Sequence, residues 1–384
     1  MTEQTEMMAP AVVVFETIVA DNGKLIAVAT LNSEKSLNAL SLPMVELLLP
    51  QLQLWKDDPQ IVMVLLQGAG DKAFCAGGDI RDLYHTMQEN PDTYQHYVAD
   101  FFTKEYSLDY LIHTFDKPVL VWGNGIVMGG GLGLMAGASH RVVTATSRIA
   151  MPEMAIGLYP DVGGSWFLNR MPEGCGLFLG LTGASINAAD AKLIDLADHF
   201  FPHDKKPLVI EKLKAIRWGN TITLNHQKLS DELLHLEELS RNQQPASQIR
   251  LHQTEIAALA QQPDLASAMQ AILQMPNEDS WLSKAKASLQ YGSPITAHIV
   301  YRLLQLGQSK ILADSFRLEL GLSVQCGKLG EFTEGVRALL IDKDQQPKWL
   351  YPNVAAVPAA VIDELFRSPW SADAHPLREL GLVH

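Results

Sequence analysis

Two acidic residues, Glu153 and Asp161, stand eight positions apart and are of a type that performs acid–base chemistry. A continuous helix would separate the two carboxylates by about 12 Å, because each residue adds about 1.5 Å of rise. Gly157 and Pro160 lie between them and disfavour such a helix, so we expect a bend that brings both acids to one small substrate. Apolar neighbours would give them the dry surroundings that suit catalysis on an uncharged group: Ala155, Ile156 and Leu158.

A simpler interpretation of the same segment needs no chemistry. Asp161 would cap a helix that opens at Val162, and Glu153 would lie in a solvated loop. The segment alone favours neither interpretation.

Two glycine-rich stretches, residues 68–80 and 123–133, each follow a short apolar run. Neither matches GxGxxG or GxxxxGK[ST], so dinucleotide and P-loop binding are weakly supported. Consecutive glycines let another atom approach backbone N–H groups closely. Amides at Gly78 and Gly130, one per stretch, would form an oxyanion hole, in which one donor lowers an acyl-transfer barrier by about 3–4 kcal/mol. Alternatively, the glycines only permit tight turns and close helix packing.

The elements that would position these groups alternate between strands and helices. Residues 61–66 and 119–122 are wholly apolar runs, which are typical of strands buried on both faces. A helix predicted over residues 94–114 separates them, and a hairpin over 12–31 and a helix over 42–55 come before them. This repeated order predicts an α/β architecture with crossover connections.

The character of the chain changes near residue 207, where Gln, Leu, Glu and His accumulate and strand signals become few. Residues 231–241, 253–261 and 293–306 are predicted to be helical. A soft boundary between 205 and 225 divides the chain into an N-terminal tail (1–10), a catalytic core (11–215) and a mainly helical C-terminal region (216–384).

Composition narrows the classes of function. The chain has 384 residues and a net charge of −13, which argues against a general nucleic-acid or anionic-membrane surface but does not exclude a small anionic ligand. Three cysteines without CxxC spacing indicate a reducing compartment, and twelve histidines show no ligand spacing, so no metal is predicted. No signal-like or 18-residue apolar run occurs, so the cytoplasm is the expected location.

Several ordered motifs together resemble the enoyl-CoA hydratase/isomerase (crotonase) superfamily. They are Leu37-Asn38-Ala39, residues 73–79, residues 124–125 with 129–131, and Met151-Pro152-Glu153. The resemblance implies a spiral of repeated ββα units that binds acyl-CoA between the glycine stretches. It implies that the amides of Gly78 and Gly130 hold the thioester oxygen, and that CoA enters as part of the substrate rather than as a cofactor. Superfamily members often form trimers, so a homo-oligomer is left open.

Departures from the superfamily pattern indicate which branch the chain resembles. Hydratases carry a catalytic glutamate three residues after the second oxyanion glycine, where this chain has Gly133. Glu153 matches their second glutamate, but Asp161 stands where hydratases usually have glycine. The pattern over residues 151–164 is instead similar to the 3-hydroxyisobutyryl-CoA hydrolases. Further similarity around Glu105 and in the C-terminal region extends the resemblance over nearly the whole chain.

This resemblance implies hydrolysis of 3-hydroxyisobutyryl-CoA, or a close 3-hydroxyacyl-CoA, to the free acid and CoA in valine breakdown. Glu153 would activate water or attack the thioester carbon, and Asp161 would orient water or the substrate hydroxyl, although the two roles could be exchanged. Glu105 would bind the acyl end as a third acid, or would be a solvated helix residue paired with Lys104 or Lys117. Three basic residues are expected to contact the CoA phosphates: Lys35, Lys72 and Arg81.

Two other functions remain as alternatives. The first is a hydratase or isomerase that uses Glu153 together with Asp161 or Glu105 in place of the missing glutamate. The second is a non-catalytic acyl-CoA-binding or scaffold protein that has kept the fold.

Overall fold

The strands occur in consecutive pairs along the first half of the chain. A computed structural model describes residues 11–89, 94–276, 279–307 and 309–382, and the predicted N-terminal tail (1–10) lies outside the described residues. The strands are β1 (Val13–Val19), β2 (Leu25–Leu31), β3 (Ile61–Gly68), β4 (Ala73–Cys75), β5 (Val119–Gly123), β6 (Ile126–Met128), β7 (His140–Val143), β8 (Arg148–Ala150) and β9 (His199–Phe200).

These strands form two sheets. The larger has the order β1-β2-β3-β5-β7-β9, with β1 and β2 antiparallel and the later neighbours parallel, and the smaller is a parallel β4-β6-β8 sheet. Each of the pairs β3/β4, β5/β6 and β7/β8 therefore contributes one strand to each sheet. Helices α2 (Ile80–Glu89) and α4 (Gly130–Ala136) follow the first two pairs. The predicted crotonase-like α/β spiral of ββα units is confirmed.

The early helices and the hairpin lie close to their predicted positions. In the hairpin, Ile18 is opposite Ile26 across the turn at residues 21–23. Helix α1 runs from Leu42 to Asp57, and its N-cap is Ser41 as predicted, although the serine side chain makes no capping bond. Helix α3 (Tyr94–His113) begins and ends within a residue of the prediction.

Strands β3 and β5 of the larger sheet are buried on both faces, which explains the wholly apolar runs. Side chains of successive strand residues point to opposite faces. Val64 and Val121 belong to the main hydrophobic core, which includes residues of α1 and α3. Leu65 and Trp122 belong to a second cluster with α8 (Lys206–Ala215) and α9 (Ile222–Glu238).

The rest of the chain is mainly helical. Helix α9 begins at Ile222 rather than at the predicted Asp231, since its buried face already starts at Asn225 and continues at helical spacing through Leu229 to Leu236. No helix among the described residues is both long and apolar enough to cross a membrane. The remaining helices are α5 (Gly164–Phe167), α6 (Cys175–Thr182), α7 (Ala188–Leu193), α10 (Gln248–Leu251), α11 (Gln253–Ala257), α12 (Leu265–Gln274), α13 (Ser280–Tyr291), α14 (Pro294–Gly307), α15 (Leu312–Leu329), α16 (Glu331–Val336) and α17 (Ala359–Leu365).

Candidate active site

One cavity of about 180 Å³ brings together the residues predicted for catalysis and oxyanion binding. Both glycine stretches, helix α3 and residues 152–161 form its wall, and a π-helical turn, Arg337–Ile341, adds two leucines. The predicted residues that line the cavity are Gly78, Glu105, Gly130, Glu153 and Asp161.

The chain bends between the two acids, as the sequence predicts. A short 3₁₀ helix, Glu153–Ile156, ends at Gly157, whose φ of +67° favours glycine. A β-carbon at Gly157 would also lie 2.5 Å from the carbonyl oxygen of Glu331, so a larger residue would clash with the main chain. Glu153 is 6% exposed and Asp161 4% exposed, at one cavity wall.

The simpler interpretation of this segment is wrong. Glu153 is buried rather than solvated. The helix that follows Asp161 opens at Gly164, with Gly163 as its N-cap, and Val162 has a φ of +49°, outside the helical region. The Asp161 side chain is therefore free of a capping role.

The amides of Gly78 and Gly130 lie side by side. Among the described residues, neither N–H donates a hydrogen bond to a backbone carbonyl. A β-carbon built on Gly130 would lie 3.4 Å from the nitrogen of Gly78 and 2.4 Å from Oε1 of Glu105. A side chain at position 130 would therefore displace the Glu105 carboxyl group, and the two amides are close enough to serve one ligand.

Glu105 joins this group from helix α3 and is 2% exposed. Its alternative as a solvated, lysine-paired residue is wrong. Lys104 pairs with Glu46 and Asp100, and Lys117 donates to two main-chain carbonyls near the end of α1.

Burial raises the pKa of every acid in the cavity. It raises the pKa of Asp161 to about 6, and it raises the pKa values of Glu105 and Glu153 well above the ordinary range, with the charge of Asp161 adding to both. Oε2 of Glu153 is buried without a hydrogen-bond partner among the described residues. Once Asp161 is ionised it opposes a second charge nearby, so the acids can share protons.

Other polar residues beside the cavity were missed by the sequence analysis. Tyr106 donates a 2.6 Å hydrogen bond to Oδ2 of Asp161. Asp109 is fully buried, and both its oxygens lack a partner among the described residues. Its position four residues after Glu105 places both acids on one face of α3, and this spacing could have revealed it. Glu319 comes from the distant helix α15, and no local signal marks it.

The three predicted CoA contacts lie outside the cavity wall. Lys35 is in a 3₁₀ turn after β2, Lys72 comes just before β4, and Arg81 is in the first turn of α2. All three side chains are exposed. Their contact with CoA stays a prediction.

The sequence pattern of the family described as enoyl-CoA hydratase/isomerase matches residues 26–366. The chain belongs to this family. Curated relatives include a mitochondrial 3-hydroxyisobutyryl-CoA hydrolase of Xenopus tropicalis, which is 37% identical over 90% of this chain and 87% of its own. Another with the same name, from Homo sapiens, is 34% identical over 93% of this chain and 90% of its own.

Solved structures of this family support the fold over almost the full chain. An enoyl-CoA hydratase from Rhodobacter sphaeroides 2.4.1 is 30% identical, with a TM-score of 0.78 over 93% of this chain and 98% of its own. A carnitinyl-CoA dehydratase from Mycobacterium thermoresistibile is 29% identical, with a TM-score of 0.79 over 95% of this chain and 98% of its own.

The position of the missing hydratase glutamate is filled by other side chains. A β-carbon built on Gly133 would lie 2.6 Å from Cβ of Val162 and 3.1 Å from Oδ1 of Asp109. Real side chains do not approach this closely, because packed interiors leave no such overlap. The backbone around Val162 would have to move before any larger residue could occupy position 133.

Proposed function

We propose that this protein hydrolyses the thioester of 3-hydroxyisobutyryl-CoA, or of a close 3-hydroxyacyl-CoA, to the free acid and CoA in valine breakdown. The observation that carries the proposal is the convergence of two free amides and three buried acids on one small cavity. The curated relatives that carry this hydrolase name match about nine-tenths of the chain, which supports the choice of substrate.

In the proposed mechanism, the N–H groups of Gly78 and Gly130 bind the thioester oxygen as it becomes an oxyanion. Glu153, with its unpaired Oε2, activates water or attacks the carbonyl carbon, and Asp161 orients the water or the substrate hydroxyl. The carbon–sulfur bond then breaks, and the proton taken from water goes to the departing CoA thiolate. Burial and then the charge of Asp161 raise the pKa of Glu153, which supports the exchanged assignment, in which Asp161 is the ionised acid and the base.

Single-turnover hydrolysis in ¹⁸O-water separates attack from water activation. Direct attack by Glu153 expels the CoA thiolate and forms a mixed anhydride with the acyl group. Water that opens this anhydride at the glutamyl carbon leaves the labelled oxygen on the glutamate carboxyl in the first turnover, whereas activated water that attacks the thioester delivers it to the product acid.

Glu105 is proposed to contact the acyl end, beside an apolar wall that includes Leu339 and Leu340. Burial raises the pKa of Glu105 well above its ordinary range, which favours the protonated carboxyl group, and a protonated carboxyl group can donate a hydrogen bond to the substrate hydroxyl. The small cavity suits a short, branched acyl group.

The remaining parts of the proposal concern partners and location. CoA phosphates bind Lys35, Lys72 and Arg81, and the reaction needs no other cofactor, because water, acids and amides supply every step. We propose no nucleic-acid or membrane partner and leave a homo-oligomer open. Our proposed location is the cytoplasm, although the relatives' names place them in mitochondria, and cell fractionation decides between the two compartments.

The direct test is release of free CoA from 3-hydroxyisobutyryl-CoA, followed with a thiol reagent. We expect turnover that is lost in the Glu153→Gln variant. A higher kcat/KM for hydration of crotonyl-CoA than for CoA release would overturn the assignment.

The hydratase alternative rests on the names of the two solved structures, an enoyl-CoA hydratase and a carnitinyl-CoA dehydratase. The overlap that any side chain at Gly133 would make with Val162 argues only against a glutamate at that position. A hydratase that uses Glu153 with Asp161 or Glu105 instead is tested by the turnover of crotonyl-CoA. The non-catalytic alternative predicts that Glu153→Gln and Asp161→Asn leave every measured activity unchanged.

A further inference from the structure

A row of buried hydroxyl groups leads from Asp161 into helix α15. Tyr106 Oη lies 2.6 Å from Oδ2 of Asp161 and 2.7 Å from Oγ of Ser323. The same Ser323 oxygen lies 2.7 Å from Oη of Tyr159, which lies 2.7 Å from the carbonyl oxygen of Glu319. All three hydroxyl-bearing residues are at most 1% exposed. The row therefore has no access to bulk water along its length.

The number of hydrogens in this row depends on the ionisation of Asp161. Four oxygen–oxygen contacts each need one hydrogen, and the three hydroxyls of Tyr106, Ser323 and Tyr159 supply three. With Asp161 ionised, one contact lacks a hydrogen. With Asp161 protonated, four hydrogens serve four contacts, all donated in the direction from Asp161 to the carbonyl of Glu319.

We propose that Tyr106, Ser323 and Tyr159 are positioning residues that fix Asp161 and let it accept and release a proton without leaving its place. When Asp161 is ionised, Tyr106 donates to its carboxylate. When Asp161 takes up a proton, it donates to Tyr106, the Tyr106 hydroxyl rotates toward Ser323, and the Ser323 hydroxyl rotates toward Tyr159. No O–H bond within the row breaks, so the proton exchanges only between Asp161 and the cavity.

Tyr106 and Ser323 act on the ionisation of Asp161 in opposite directions. Tyr106 gives the ionised carboxylate a charge-assisted hydrogen bond, which is stronger than one between neutral groups. Ser323 provides the acceptor that the Tyr106 hydrogen needs once Asp161 is protonated. Loss of Tyr106 therefore favours the protonated acid, and loss of Ser323 favours the carboxylate. Two substitutions that only loosened the packing would have no reason to differ in sign.

Other ionisable groups face Asp161 and stay unchanged in both variants. Those of the neighbouring elements are Glu105 and Asp109 on α3, Glu153 and Tyr159 on its own segment, and Glu319 and Cys326 on α15. The Glu319 carboxyl accepts hydrogen bonds from Gly163 and Ser165 rather than from the row. A comparison of variants therefore isolates the hydroxyls.

The experiment compares Tyr106→Phe with Ser323→Ala. Tyr110→Phe is a matched control, because Tyr110 lies on the same helix and packs against Phe316 as Tyr106 does. Ser323→Thr, which keeps the hydroxyl, is the rescue variant. The readout is the pH profile of kcat/KM for CoA release, which reports the ionisation of the free enzyme and for this purpose rests on the proposed function.

We expect Tyr106→Phe to move the acid-limb pKa upward by about one to two units, from the value of a hydrogen bond to a charged group. Ser323→Ala should move it downward by about half a unit to one unit, from the value of a neutral bond. Tyr110→Phe and Ser323→Thr should keep the wild-type profile. Shifts of the same sign in Tyr106→Phe and Ser323→Ala, or shifts no larger than that of Tyr110→Phe, would overturn the proposal.

A second readout needs no turnover. NMR titration of protein labelled with ¹³C at the aspartate carboxyl carbons follows Asp161 directly, and Asp161→Asn assigns its resonance. If the wild type releases no CoA, the proposed function fails, while the opposite titration shifts still decide the role of the row. If Tyr106→Phe does not fold, the downward shift in Ser323→Ala and its return in Ser323→Thr decide it.

Discussion

The pKa values of acids in the cavity are raised, whereas those of acids at the β9 edge of the larger sheet are lowered. At that edge, Glu237 accepts hydrogen bonds from Lys192, His199 and the amide of Phe200, which lower its pKa to about 2. In the cavity, the described residues provide no partner for Oε2 of Glu153, and burial raises the pKa of this acid well above its ordinary range.

This contrast distinguishes buried acids that have hydrogen-bond partners from buried acids that lack them. A paired acid adds to stability, because its partners replace the water it loses, whereas an unpaired one costs stability and persists where chemistry needs it. Asp198 is a paired acid like Glu237, since Arg141 holds its pKa below the ordinary range. Asp109 is an unpaired acid like Glu153, and burial raises its pKa. We therefore expect cavity substitutions to affect activity and edge substitutions to affect stability.

The largest effect is expected for Glu153→Gln. We expect kcat to fall by about 10³-fold, in the range for loss of a group that transfers protons. The melting temperature should stay the same or rise, because a neutral amide replaces a buried carboxyl oxygen without a partner. CoA release and thermal unfolding measure the two quantities. Retained activity together with a lower melting temperature would reverse the assignment of this acid.

Gly133→Glu tests the comparison by adding one more acid next to the unpaired acids of the cavity. The new side chain would overlap Val162 and approach Asp109, so we expect a loss of about 3–4 kcal/mol in unfolding free energy and no hydration of crotonyl-CoA. Urea unfolding measures the loss. Val162→Gly, which removes the overlapping atoms at a position with positive φ, should restore part of it in the double variant. Hydration by Gly133→Glu at unchanged stability would support the hydratase alternative.

Glu237→Gln tests the paired acids at the β9 edge. It weakens the bonds to Lys192 and His199, and we expect a loss of about 2 kcal/mol in unfolding free energy with kcat/KM unchanged. Glu238→Gln, the same change at the exposed neighbouring residue of the helix, is the control for a surface substitution. A loss of activity without a loss of stability would break the comparison.

The sequence predicts the cavity better than the edge because the cavity signals are local. Glu153 and Asp161 lie eight residues apart with a glycine and a proline between them, so a bend could be inferred. Glu237 lies on a helix rich in polar residues, where an acid normally faces solvent, and its partner His199 is 38 positions away. Nothing local marks such a pair.

The fold also divides into parts that local sequence signals predict and parts that they do not. Strands β3 and β5 were predicted from their wholly apolar runs, residues 61–66 and 119–122, since burial on both faces leaves a clear pattern. Strands β4, β6 and β8 have three residues each, which is too short for any periodicity to appear, and β4 and β6 lie within glycine-rich chain. The contact of Tyr106 with Ser323 joins residues 217 positions apart and becomes visible only when α15 packs against α3.

The smallest expected effect is on the pH dependence of stability. As the pH rises, a buried group of one region should increase the stability and a buried group of the other should decrease it. Burial, helped by the charge of His199, lowers the pKa of His140 from 6.5 to about 4. Between those values the unfolded chain binds more protons than the folded one, so this histidine makes stability rise with pH. Burial raises the pKa of Asp161 from 3.8 to about 6, so over a similar interval Asp161 makes stability fall as pH rises.

Asp161→Asn removes the falling contribution, and we expect the gain in unfolding free energy between about pH 4 and pH 6 to exceed that of the wild type by about 1–2 kcal/mol. His140→Gln removes the rising contribution and should flatten or reverse the slope over the same interval. Urea unfolding across this range measures both slopes, and each is compared with the wild-type slope so that the other titrating groups cancel. Equal slopes in all three proteins would mean that neither buried group keeps its shifted ionisation in solution, and the contrast between the cavity and the edge would then be one of geometry alone.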